Sequence, residues 1–142
     1  MNDIGLCIGQ EYAKMDAKGM IVVPKVARTQ LYNEGYTQGL DKFSDMKLYL
    51  YEIINNEING IVISARDNLG VHPVLAQYGM VTPDNQNRIN LNDSKSQEIL
   101  KTRDLVVNGN LRWFEVFDRK VWEAYNKPVN SKKVFNAFYG GF

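Results

Sequence analysis

The stretch EYAKMDAKGMIVVPKVARTQL, residues 11–31, sets a turn, an apolar strand and a proline-started helix within twenty-one residues. Asp16 and Gly19 frame the turn: glycine readily takes the positive φ of a tight reversal, and an aspartate at the corner accepts hydrogen bonds from backbone amides of the loop. Ile21 and Val23 alternate as on a strand. Pro24 then stands at a helix start, where its fixed φ suits the first turn and its missing N–H costs nothing. Val26, Gln30 and Leu31 follow at helical spacing.

A second copy lies 68 residues further on, in GMVTPDNQNRINLNDSKSQEIL. Asp16 falls on Asp84, Gly19 on Asn87, Ile21 on Ile89 and Val23 on Leu91. Identity is low, but the order of extended segment, turn, alternating apolar positions and short helix is kept. Asparagine is the non-glycine residue best suited to the left-handed turn position, and Asp93 or Ser94 can cap the helix KSQEILK. Both copies therefore read as a β-hairpin followed by a helix.

Two further strands are expected in each half: MKLYLYEI at 46–53 and INGIVISA at 58–65, then DLVVNGN and RWFEVFD as a hairpin around Asn108-Gly109-Asn110. RKVWEAY closes the second half as a helix with Val121, Trp122 and Tyr125 on one face. The join at 66–79 carries Gly, Pro and Asn and is read as a connector with room for one helical turn. The expected fold is α+β and mostly β, two β-β-α-β-β units. The expected divisions are 1–66, 67–126 and a glycine- and aromatic-rich C-terminal tail at 127–142.

Composition narrows the function. With 142 residues, each half is too small to bury a sizeable core alone, so the halves must share one. No apolar run approaches the roughly 20 residues of a membrane span, and MNDIGLCIGQEY lacks the pattern of a secretory signal, which together predict a cytoplasmic protein. The single Cys7 and single His72 leave no Cys/His set for zinc; Cys7 reads as a small core residue and His72 as a loop residue. No cofactor and no metal are expected. The net charge is only +1, and residues 71–142 are the basic half, with ten Lys/Arg against seven Asp/Glu. A lone nucleic-acid binder needs a stronger cationic footprint, so DNA binding would require a small patch repeated in an oligomer.

IGQEYAKMDAKGMIVVPKVARTQL resembles the opening of the MraZ family, proteins built from two AbrB-type swapped-hairpin units. Gly9, Asp16, Lys18, Gly19, Pro24 and Arg28 match its pattern. DNQNRINL resembles the second D-x-x-x-R, and Gly109, Phe114, Glu115, Asp118 and Trp122 fit the late hairpin and its helical tryptophan after a one-residue insertion. The resemblance spans residues 8–126. It implies an intrachain pseudo-dimer, assembled as a homo-oligomeric ring, that binds duplex DNA and regulates transcription in the nucleoid.

The family's DNA contact is an arginine just after the hairpin turn. The second copy keeps it as Arg88; the first has Met20, which can pair with neither phosphate nor base edge. On this reading DNA is held by Arg88 with Lys14, Lys18, Arg28 and Lys95. The alternative is a ring-forming structural or adaptor subunit of a larger assembly such as a virion, meeting other proteins through Phe135, Phe138, Tyr139 and Phe142 of the tail. An enzyme ranks last. Asp16 and Asp84 read as turn formers, with no nucleophile or ligand set beside them.

Overall fold

A computed structural model describes residues 9–25, 27–29, 31, 43–54, 56–67, 69, 73–109 and 113–125. Cys7, His72 and the whole tail, including Phe135, Phe138, Tyr139 and Phe142, lie outside the described residues. The fold is mostly β, with antiparallel sheets and short helices. Among the described residues eight strands run β1 (Gly9–Lys14), β2 (Met20–Val22), β3 (Leu48–Ile53), β4 (Ile61–Ser64), β5 (Leu75–Val81), β6 (Arg88–Asn90), β7 (Asp104–Gly109) and β8 (Phe114–Asp118). Among the described residues the α-helices α1 (Ser94–Ile99) and α2 (Arg119–Tyr125) follow, and a 3-10 turn spans Phe43–Asp45. Helical backbone also follows Pro24, where the Arg28 N–H donates to the Pro24 carbonyl at 2.9 Å.

The large sheet has the order β1-β7-β8-β4-β3-β5, and β2 pairs with β6 in a separate two-stranded sheet. Exchanging β1 with β5, β2 with β6, β3 with β7 and β4 with β8 reverses that order onto itself. The arms of each expected hairpin therefore part company. β1 leaves its turn to pair with β7 of the other half, β5 pairs with β3, and the short second arms β2 and β6 meet each other with Ile21 opposite Ile89.

Alternation along the central strands β7, β8, β4 and β3 buries both faces of the large sheet there, because each face has its own cover. Leu48, Leu50, Ile61, Ile63, Leu105, Val107, Phe114 and Val116 point toward the two-stranded sheet, where Ile21, Val23, Ile89 and Leu91 complete one core. Tyr51, Val62, Val106 and Phe117 face the other way, onto Trp113 and Trp122. The Trp122 ring stacks on Phe117 with centroids 4.8 Å apart. Each of these apolar faces joins residues from the first and the second part of the chain.

Two expectations change. The connector expected at 66–79 ends in strand, since residues 75–81 form β5. Its pairing skips Tyr78, with Leu50 opposite Gly79 and Tyr51 opposite Gln77, so a bulge breaks the period-two pattern that would mark a strand. Gly60 lies just before β4, in the connection from β3. Its role is steric: a Cβ there would meet Phe117 Cδ1 at 2.5 Å. The hairpin around Asn108-Gly109-Asn110 closes later than expected, since Asn108 and Gly109 are still paired, with Glu115 and Phe114.

Candidate nucleic-acid interface

The two turns share one hydrogen-bond scheme. Asp16 Oδ1 accepts from the N–H groups of Lys18 (2.8 Å) and Met20 (3.0 Å), and Asp84 Oδ1 accepts from those of Gln86 (2.8 Å) and Arg88 (2.9 Å). Gly19 has φ +83° and Asn87 φ +62°, and each donates its N–H to the carbonyl of the turn aspartate at 3.1 Å. The turns also bind each other's following strand, through Val23 N–H to the Asn87 carbonyl and Leu91 N–H to the Gly19 carbonyl, both 2.8 Å. An aspartate that collects two backbone N–H donors favours its charged form. The Asp16 carboxyl is thus held below its usual range chiefly by the Met20 N–H, and Asp84 chiefly by the Arg88 N–H, against the opposing effect of desolvation.

The side chains after the turns differ. Arg88 Nε donates to Asp84 Oδ2 at 2.7 Å, so the guanidinium is moored to its own turn. Its charge also helps to keep Asp16 ionised. Met20, the equivalent residue, lies opposite Asn90 in the β2–β6 ladder. It is half-buried and brings no charge.

The other expected contact residues scatter. Lys14 is exposed at the end of β1, opposite Asp104, and Lys18 is exposed within the first turn. Arg28 is half-buried, with Nε donating to the Val23 carbonyl at 3.0 Å. Lys95 lies on α1, capped by Asp93 through the Ser96 N–H, and its Nζ is 3.4 Å from Glu52 and 3.8 Å from Glu98. Lys14 and Lys18 thus flank the first turn, whereas Arg28 and Lys95 are engaged by other groups.

Two cations not singled out in the sequence, Lys101 and Arg103, border a cleft beside the first turn together with Asp16, Gly19, Asn92 and Thr102. No shift of 68 residues could reveal them. They come from the loop entering β7, and only the exchanged pairing of β1 with β7 brings that loop to the first turn.

Among the described residues no group of three or more His, Cys, Asp or Glu side chains could hold a metal, and no helix is long and apolar enough to cross a membrane. No curated protein matches the chain. Residues 75–138, a little under half of the chain, match the family model described as "MraZ protein, putative antitoxin-like", so this part of the chain is similar to that family.

Proposed function

We propose that this protein is a DNA-binding transcriptional regulator that works in the cytoplasm, at the nucleoid, as a ring-forming oligomer. Its building blocks are two swapped-hairpin units, residues 1–66 and 67–126, folded as an intrachain pseudo-dimer, with 127–142 as a tail. The observation that carries this reading is the pair of equivalent turns, Asp16 to Gly19 and Asp84 to Asn87, cross-linked through Val23 and Leu91 beside the self-reversing strand order. Arg88 follows the second turn inside the span that matches the family model. An arginine there suits bidentate contact with guanine or a clamp on phosphate. One such residue per chain binds weakly, and repetition around a ring supplies the avidity.

A second reading draws on the mooring of Arg88 to Asp84 and on the neutral Met20, which leave the turns short of free charge. On that reading the chain is a structural or adaptor ring subunit. Native mass measurement with gel shifts on direct-repeat duplex at two salt concentrations tests the choice. The regulator requires an oligomer whose duplex binding weakens as salt rises. An oligomer with no duplex affinity at low salt supports the structural subunit, and a monomer without affinity overturns both readings.

A further inference from the structure

The strand register defines which residues correspond between the halves, and the correspondence is uneven in charge. Leu48 lies opposite Val81 and Leu105 opposite Ala13, and both leucines are fully buried in the same core. Setting these two leucines as equivalent makes Ser44 the counterpart of Lys101 and Met46 the counterpart of Arg103. The turn shift of 68 residues makes Thr82 and Gln86 the counterparts of Lys14 and Lys18. Four cations thus stand around the first turn at positions whose counterparts at the second are uncharged, whereas the second turn has Lys47 as the counterpart of Asp104 and Arg88 in place of Met20.

The first-turn cations are also available to a ligand. Lys14, Lys18, Lys101 and Arg103 are exposed, and none makes an ion pair with a described residue, whereas Arg88 is paired with Asp84 and Lys95 with Glu52 and Glu98. Lys101 and Arg103 sit on a braced loop. The Arg103 carbonyl accepts from Met15 N–H at 2.8 Å, Thr102 N–H donates to Asp118 Oδ2 at 2.7 Å, and Leu100 N–H donates to the Ser96 carbonyl at 2.8 Å. Asp118 also accepts from Lys120 N–H at the start of α2, so the buried end of β8 ties the loop to the body of the protein.

We propose that the cleft beside the first turn is a phosphate-binding subsite, with Lys101 and Arg103 supplied by the second half, and that it takes a backbone phosphate of duplex DNA. The inference rests on the DNA-binding reading above and assigns different tasks to the two turns. Phosphate contacts fix the position of a protein on the duplex without reading sequence, and base-edge contacts carry the discrimination. The first turn anchors through Lys101 and Arg103; the second reads through Arg88. The missing arginine at Met20 is thereby replaced by cations delivered from across the pseudo-dimer.

Fluorescence anisotropy of a labelled duplex across a salt series tests this on the full chain. Lys101→Ala combined with Arg103→Ala should make the slope of log affinity on log salt shallower by about two. It should weaken all duplex sequences equally. Lys120→Ala, which removes an exposed lysine on α2, should leave the slope unchanged, and Lys101→Arg with Arg103→Lys should restore it. If the alanine pair fails to fold, Lys101→Gln with Arg103→Gln gives the same readout. Salt-dependent binding by the unmodified chain with an unchanged slope in the double variant overturns the subsite alone. Absence of salt-dependent duplex binding in the unmodified chain overturns the DNA-binding reading and the subsite together.

Discussion

Arg88 is held by Asp84 twice over: its backbone N–H donates to Oδ1 at 2.9 Å and its Nε to Oδ2 at 2.7 Å. The carboxylate that shapes the turn thus also aims the guanidinium. A planar fork held through Nε keeps its terminal N–H groups for a second partner, and such preorganisation lowers the ordering cost of binding. The same ion pair also competes with any phosphate that approaches.

Asp84→Asn separates these two effects. The amide oxygen can still accept the turn N–H groups, but the charge that moors Arg88 is gone. If the pair chiefly competes with DNA, the variant should bind duplex more tightly; if it chiefly orients Arg88, binding should weaken and lose sequence preference. Arg88→Ala should cost about 1 to 3 kcal/mol of binding on the preferred duplex, as for one bidentate base contact. Anisotropy titrations on matched and scrambled duplexes read both variants. No change in either would remove Arg88 from the interface.

The depressed carboxyls of Asp16 and Asp84 link stability to acid. Both fall below their usual value of 3.8, and a folded-state value below the unfolded one contributes stability that is fully present above the unfolded value. That contribution disappears as pH falls through the folded values. Urea midpoints should therefore drop as the pH is lowered below about 4. The double change Asp16→Asn and Asp84→Asn should flatten this part of the profile, and an unaltered acid limb would assign the loss to other carboxylates.

The two positive-φ residues tolerate substitution differently. A Cβ on Gly19 would lie 2.7 Å from Asn92 Cβ and 2.9 Å from its Cα, so neither flexible rotation nor a small shift relieves it. Gly19→Ala combines left-handed strain with overpacking and should destabilise by about 2 to 4 kcal/mol. Asn87→Gly keeps the turn geometry and should change stability by only a few tenths of a kcal/mol, about the size of a glycine–asparagine difference at such sites. Chemical denaturation of both variants checks the contrast.

Trp122 is 7% exposed and stacks on the fully buried Phe117, closing the second core where α2 crosses the sheet. Trp122→Ala should cost about 3 to 5 kcal/mol, with loss of the aromatic near-UV circular dichroism. Trp122→Phe refills part of the volume and should recover more than half of that loss. A change below about 1 kcal/mol for the alanine variant would mean that the ring covers surface rather than core.

The turns were legible in the sequence because their chemistry is local: an acceptor at the corner and a residue able to take positive φ. The strand RWFEVFD, with Phe114 and Phe117 on opposite faces, was legible from its apolar pattern, and the buried Trp122 from helical spacing in RKVWEAY. Partner choice was not. Nothing in the composition of β1 says that it leaves its hairpin for β7, since the choice depends on which distant edge is free once the halves collapse. The bulge at Tyr78 hid β5 by breaking its alternation. The cleft with Lys101 and Arg103 was hidden for the same topological reason, because its walls join residues about 85 positions apart.

Met20→Arg tests whether the first turn retains the capacity to use an arginine. Its backbone N–H already donates to Asp16 Oδ1 at 3.0 Å, the equivalent of the Arg88 bond to Asp84, and Met20 stands at the same place in the β2–β6 ladder as Arg88 by the 68-residue shift. A guanidinium introduced there can bond Asp16 Oδ2 as Arg88 bonds Asp84 Oδ2. Each chain would then present an arginine on both turns, so duplex affinity should rise and its salt slope should steepen by about one. The Asp16 carboxyl should also fall further, which nuclear magnetic resonance titration of that side chain can follow independently of DNA. A lowered Asp16 value with unchanged affinity would mean that the new arginine docks but meets no phosphate, and that the first turn lies off the duplex. A steeper slope would place both turns of every chain against the same DNA.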